Sequence, residues 1–282
     1  MKFCLAEDIP VILLSSTGKY FGAIASFKRV NIVLQKRQFD MADDGQKSLE
    51  IAKAIVRAKI TNEKVLLQRY VRKRRHLSLD TEIHQLNALM DKISEAQGRE
   101  ELMGIEGAAA ARYFSSIRTL LEGKWRFERR QKQPPPDPVN SMLSYGYTLL
   151  FYNIFALATA HGFHPYVGFL HGIREGHPSL VSDLLEEFRA PVIDSLVLNL
   201  VMRDSLKEED FIMPGDHGTP CLLKDEARKV FIKGFEGKMN SSFTHSGTGY
   251  PVDYRRCIDL QVQAMKKVVE GKLPAYEPLV IK

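Results

Sequence analysis

The sequence predicts a mainly α protein: a large helical domain with a short β-hairpin in front of it. Three observations lead there. Apolar residues recur at three-and-four spacing through most of the chain after about residue 29. Runs of β-branched, strand-like residues are confined to residues 9–26. The segments without periodicity are rich in Pro and Gly, which read as loops. No internal repeat or heptad array is visible.

Lys2–Asp8 reads as the last turn or two of a helix. Ile9–Leu14 is an apolar strand, Ser15–Lys19 is turn chemistry, and Tyr20–Ala25 is a second strand. Two strands alone make no stable sheet. Ile51, Ala54, Ile55, Ala58 and Lys59 share one helical spacing, as do Leu66, Leu67, Tyr70 and Val71. A helix follows over Ile83–Glu95. Gly104-Ile105-Glu106-Gly107 reads as a glycine-bounded entry into an Ala-rich helix over Ala108–Leu121. The proline run 134–136 with Pro138 cannot be helix interior, so 130–138 is a loop or linker. Helices resume at Val139–His161, Ser179–Arg189 and Ile193–Leu200. Residues 203–222 read as loop, 224–235 as helix, 236–251 as a mobile Gly/Ser-rich segment, and Tyr254–Glu270 as a last helix.

The chain has 282 residues, enough for one large domain or two small ones, which excludes a small disulfide scaffold and a wholly disordered chain. Its net charge of +6 is unevenly spread: residues 1–133 carry 25 Lys and Arg against 16 Asp and Glu, and residues 134–282 carry 15 against 18. A basic front half suits a polyanion partner. Cys4, Cys221 and Cys257 are widely spaced and odd in number, which argues against a disulfide framework and for a reducing, cytoplasmic compartment. No apolar run reaches the roughly 18 residues of a membrane span, and the front lacks a secretory signal.

Three segments hold candidate chemistry. In Ser179–Arg189, Val181, Leu184, Leu185 and Phe188 form an apolar stripe, and Asp183, Glu186 and Glu187 share the opposite face. Asp183 and Glu186 lie about 60° apart and one turn up, near enough to share a cation. The same pattern fits a solvated acidic face. His171 ends an apolar run before Gly172, and with His177 matches no zinc signature. A nitrogen ligand among carboxylates suits manganese or magnesium. Glu106 is the only charge in Gly104–Ala111, either a helix-start carboxylate favoured by the macrodipole or a ligand. Two basic runs stand out, Arg69–His76 with Arg72, Lys73, Arg74 and Arg75, and Lys124–Lys132 with Arg126, Arg129 and Arg130. The second interleaves Trp125 and Phe127 with arginine, a pattern that serves both stacking and phosphate contact. There is no P-loop, dinucleotide fingerprint, nucleophile elbow or HExxH motif, which sets aside nucleotide hydrolysis, Rossmann redox chemistry and the common hydrolase triads.

In their order along the chain, these segments resemble the Cas1 family of CRISPR-associated spacer-acquisition integrases. The resemblance rests on Ile9–Ser15 with Gly18–Gly22, on Ala52–Lys59 with Asn62 and Leu66-Leu67, and on Gly104–Ala109 with Tyr113-Phe114. It continues through Asp137–Asn140 with Leu143–Leu150, Gly168–His171, Ser179–Arg189 and Tyr276-Glu277-Pro278. It implies that residues 1–28 are the remnant of an N-terminal β domain, most of which this sequence lacks, and that 29–282 is the helical catalytic domain. It implies Glu106, His171 and Glu186 as catalytic ligands of Mg²⁺ or Mn²⁺, with Asp183 a nearby acidic partner. Spacing alone does not choose Glu186 over Glu187; the resemblance does. The implied reaction is metal-dependent endonuclease and integrase chemistry, in which a protospacer 3′-hydroxyl attacks a phosphodiester of the CRISPR repeat. The implied partners are double-stranded DNA, a second copy in a homodimer, and Cas2. Arg189 fits either a phosphate or ligand-carboxylate contact or a helix C-terminal charge, and Tyr145 and Tyr147 fit core packing better than DNA contact. Two other readings stand beside it, a catalytically silent DNA-binding scaffold and a free-standing metal-dependent nuclease.

Overall fold

The computed structural model describes residues 1–282 except 8, 10, 16–19, 25, 27–30, 75, 122, 124, 216, 217, 246 and 248. The fold is mainly α. The expected hairpin turn at 16–19 and the residues around the 28/29 boundary lie outside the described residues.

At the front, α1 (Lys2–Ala6) precedes an antiparallel pair, β1 (Val11–Leu14) and β2 (Tyr20–Ile24), in which Val11 faces Ile24. Then come α2 (Ile32–Asp43), α3 (Gly45–Arg72), α4 (Asp80–Ile93) and α5 (Arg99–Leu121). The 28-residue α3 is the central strut and packs against both α5 and α7. Asp44 caps its start by accepting from the Lys47 amide. Its buried stripe includes Ile51, Ile55, Leu66 and Leu67, and the same stripe carries Lys59, Asn62 and Glu63. Charges inside an apolar stripe need partners, and those partners define the site below.

The linker before α6 is a loop, as the prolines dictate. Asp137 then caps α6 (Pro138–Ala160) through the Asn140 amide, and Pro138 occupies the first helical turn where no amide is needed. α7 (Ser179–Phe188) runs into a π turn over Arg189–Asp194 and on into α8 (Ser195–Met202). The sequence reading ends one helix at Arg189 and starts the next at Ile193. The wide π turn instead absorbs Pro191, which has no amide, so the chain stays helical.

Two further expectations are corrected. Gly104 and Gly107 do not open a helix; α5 begins at Arg99 and passes straight through them. The 203–222 and 236–251 stretches are not plain loops. They hold two short ladders, β3 (Phe211–Ile212) with β4 (Leu222–Leu223) and β5 (Ser242–Thr244) with β6 (Pro251–Asp253), around α9 (Asp225–Met239). The last helix is α10 (Tyr254–Val269).

The tail after α10 is tied into the core. Asn62 donates to the Glu187 and Leu279 carbonyls, and the Ile281 amide donates to Asn62 Oδ1. Glu187 accepts from the Tyr276 hydroxyl and the Leu279 amide, and from Gln261 Nε2 at 2.9 Å. Burial pushes the Glu187 carboxyl up to about 7 despite these donors. Among the described residues no helix is long and apolar enough to cross a membrane.

Candidate active site

α7 is buried on every side, so its acidic residues do not form a solvated face. Each carboxylate has its own task. Asp183 Oδ2 accepts the amides of Phe169 (2.5 Å) and Leu170 (3.0 Å), and Oδ1 accepts the His171 amide at 3.0 Å. Oδ1 also meets His171 Nδ1 at 2.7 Å. Asp183 folds the 169–171 loop around itself and aims the imidazole, with no partner at Nε2 among the described residues.

Two glycines make this approach feasible. A Cβ on Gly168 would stand 2.7 Å from Asp183 Oδ2 and 2.7 Å from the Ser179 carbonyl carbon. Gly172, just past His171, has φ +67°, a conformation side chains disfavour.

Glu186 points the other way, to the cleft floor. Its Oε2 lies 2.7 Å from Lys59 Nζ and 3.0 Å from Arg189 Nε. Lys59 Nζ also pairs with Glu106 Oε1 from α5. Two carboxylates from separate helices thus converge on one cationic centre. Burial alone would raise the Glu186 carboxyl, but Arg189, Lys59 and His171 outweigh it and hold it at about 2. Burial likewise works against the Lys59 ammonium, and Glu186, Glu106 and Glu63 reverse that, leaving it above its ordinary range. Glu106 sits well inside α5, which discards its reading as a helix-start charge.

The residues fit a divalent ion in kind. Glu186 Oε2 is a buried acceptor with no aligned hydrogen bond, and it faces the same point as Glu106. Two carboxylates and an imidazole form a donor set suited to Mg²⁺ or Mn²⁺. Among the described residues no three such donors close on one point; Lys59 Nζ stands between the two carboxylates.

Above this floor opens a cleft of about 520 Å³, lined by Glu106, His171, Glu186 and a ring of cations: Arg118, Arg129, Arg130, Lys132 and Arg189. Burial and the neighbouring Arg189 depress the Lys132 ammonium. Arg130 is half-buried, donating to Asn140 Oδ1 at 2.9 Å and Ser144 Oγ at 3.0 Å. Arg189 stacks over the Tyr147 ring at 4.5 Å. Tyr147 is buried, as core packing predicted, and donates to Asp194 Oδ1 at 2.5 Å; Tyr113 donates to Oδ2 at 2.7 Å. The half-buried Tyr145 tilts against Phe231.

The two basic runs are not brought together. Arg129 and Arg130 reach the cleft, while Arg126 is exposed beside a neighbouring hollow with Pro214 and Gly215. Trp125 and Phe127 are buried, against Phe211 and Phe114, so they offer no stacking surface, contrary to the sequence reading. At the end of α3, Arg72 and Lys73 are exposed, Arg74 donates to the Leu120 carbonyl, and Arg75 lies outside the described residues. His177 Nε2 meets Ser182 Oγ at 3.0 Å, where the hydroxyl, not a shared ion, engages it.

Sequence reasoning missed Lys59, Glu63 and Asp194. The signal existed: Lys59 and Glu63 are four residues apart on the stripe that buries Ile55 and Leu66. Glu63 is fully enclosed, with Oε2 unpartnered, and burial raises its carboxyl to about 8.

Comparison with known proteins places this geometry in a family. The family model for the CRISPR associated protein Cas1 matches residues 1–237. The CRISPR-associated endonuclease Cas1 3 of Thermus thermophilus is 35% identical over all of this chain and 82% of its own length. The CRISPR-associated exonuclease Cas4/endonuclease Cas1 fusion of Geobacter sulfurreducens is 34% identical over 97% of this chain, which spans half of that protein. Among solved structures, a Cas6-RT-Cas1–Cas2 complex superposes with a TM-score of 0.83 and 27% identity, over 98% of this chain and 30% of that one. Both the family model and the Thermus relative span enough of the sequence to decide the matter: the chain belongs to the Cas1 family of CRISPR-associated proteins.

Proposed function

We propose that this chain is a metal-dependent DNA endonuclease and integrase that inserts protospacer DNA into a CRISPR repeat array. The observation that carries the reading is the convergence of Glu106 and Glu186, from α5 and α7, on one cation position at the floor of a cationic cleft. The names of its relatives, CRISPR-associated endonucleases, support the reaction class.

In this reading Glu106, Glu186 and His171 Nε2 hold one Mg²⁺ or Mn²⁺. When bound, such an ion polarises the target phosphate and stabilises the departing oxygen. The protein's own residues do the rest. Asp183 fixes the imidazole before any ion arrives, which lowers the ordering cost of the site. Arg129, Arg130 and Lys132 line the wall where phosphate oxygens would lie and neutralise them. Arg189, held between Glu186 and the Tyr147 face, sets the Glu186 carboxylate in place. The incoming 3′-hydroxyl oxygen forms the new bond to phosphorus. The repeat's 3′-oxygen leaves with a proton, so the number of phosphodiesters is conserved; water in place of the hydroxyl gives cleavage.

Lys59 holds the position between Glu106 and Glu186 that such an ion would take, and its ammonium would then be available to a phosphate oxygen. Cas2 is the expected partner, by analogy with the Cas1–Cas2 complex that this fold matches. A homodimer acting on double-stranded DNA in the cytoplasm completes the proposal.

The test is a strand-transfer assay with a labelled 3′-hydroxyl duplex and a repeat-bearing plasmid, with and without Cas2. Joined product that needs Mg²⁺ or Mn²⁺ and disappears with His171→Ala supports the reading. Undiminished joining by His171→Ala defeats it.

A further inference from the structure

A second basic pocket lies away from the cleft. It is about 750 Å³ and is lined by Arg69 and Lys73 from the end of α3, Arg203 just past α8, and Lys238 near the end of α9. Arg69 is ten residues beyond Lys59 on α3, about 15 Å along the helix axis. No Asp or Glu lines the pocket, and among the described residues none of the four cations pairs with a side-chain carboxylate.

Their placement has a partial structural reason. Three helix C-termini meet here, and each carries a partial charge of about −0.5 that favours nearby cations. Such partial charges and the Lys282 oxygen beside Arg69 offset the four positive charges only in part. Burial and the neighbouring Arg69 push the Lys238 ammonium down to about 8. Among the described residues, Arg69 donates to an oxygen of Lys282, the last residue of the sequence, and Lys238 lies 4.9 Å over the Tyr254 ring. A cluster of this kind, set in a concavity rather than spread over a helix face, is relieved by an anion with several oxygens.

We propose that this pocket is a phosphate-binding site separate from the cleft, taking a phosphate-bearing ligand through Arg69, Lys73, Arg203 and Lys238. Two sources share that chemistry: the backbone of a polynucleotide held also by the cleft, and a free polyphosphate. The polynucleotide source rests on the proposed function; the polyphosphate source does not.

The experiment uses the whole chain and two probes. Tripolyphosphate binding is measured by calorimetry, and binding of a labelled DNA duplex by anisotropy across a salt series. The variants are Arg69→Gln with Lys238→Gln, and Lys73→Gln with Arg203→Gln, the second pair being exposed and free of structural contacts. Lys36→Gln with Lys92→Gln, on α2 and α4, controls for lost net charge. A component of tripolyphosphate binding, near one per chain and beside any binding in the cleft, that is weakened about tenfold or more by either pocket pair and not by the control supports the site. If the duplex salt slope also falls by about two relative to the control, the source is a polynucleotide. If only tripolyphosphate responds, the source is a small phosphate ligand. Should neither probe distinguish the pocket pairs from the control, the proposal is overturned. A chain that joins no DNA but binds tripolyphosphate here fails the cleft reading and keeps this one.

Discussion

Lys59 Nζ lies 2.7 Å from Glu186 Oε2, at the bottom of a cleft where Glu106 grips the same ammonium. A buried cation between two carboxylates is stabilising only while all three are present. The arrangement holds two ligand-type side chains facing one point.

Replacing Lys59 with Met therefore leaves Glu106 without its cation and Glu186 with Arg189 alone. We expect a loss of about 3–5 kcal/mol in denaturant unfolding without divalent ions. Adding Mg²⁺ or Mn²⁺ restores part of it, and stabilises the variant more than the parent, in which the ion must displace an ammonium. Equal metal stabilisation of the two proteins would remove Lys59 from that position.

Asp183 is fully buried and accepts three amides and an imidazole. Asp183→Asn turns an –NH₂ group toward donors, leaving buried amides unmade at roughly 1–3 kcal/mol each. The expected result is a loss of about 3 kcal/mol or more, with the His171 imidazole NMR signal shifted. An unchanged His171 signal would mean that another group holds the ring.

Gly168→Ala tests the close approach of the loop to α7. Its Cβ would meet Asp183 Oδ2 at 2.7 Å. Overpacking of that kind costs about 1–3 kcal/mol. Unfolding measurements that found no loss would show that the loop has room to shift.

Asp194 gives a pH signature. Burial raises its carboxyl from 3.8 to about 6, against the opposing donors Tyr147 and Tyr113. A raised carboxyl binds its proton more tightly in the folded state. Its stabilising contribution is complete below about pH 3.8, falls as pH rises to about 6, and is constant above. The shift corresponds to about 3 kcal/mol. Stability of the parent minus that of Asp194→Asn should decline by this order between pH 4 and 6 and then level. A flat difference across that range would mean that Asp194 titrates normally.

Much of this was legible in the sequence. The sequence reading placed α6, α7 and α10 to within a residue of their ends, and marked α3 only as two stretches of helical spacing within its 28 residues. Glu106 was visible as a lone charge among glycines and alanines. What spacing lacked was the third dimension. It could not tell that α7 is enclosed all round, so Asp183, Glu186 and Glu187 looked like one acidic face, although they serve the His171 loop, the cleft and the chain's tail. The gap between Arg189 and Ile193 in the sequence reading is a π turn, a tertiary accommodation with no local signal. Trp125 and Phe127 looked like stacking platforms because alternation with arginine carries no record of which side faces the core.

The most direct test of the central claim compares Glu106→Gln and Glu186→Gln with the parent in metal-dependent strand transfer, each checked for a folded circular dichroism spectrum. If the two carboxylates and His171 form the reactive centre, each substitution lowers joined product by at least about 100-fold while duplex binding is kept. A folded variant of either kind that joins DNA at the parent's rate would contradict the account.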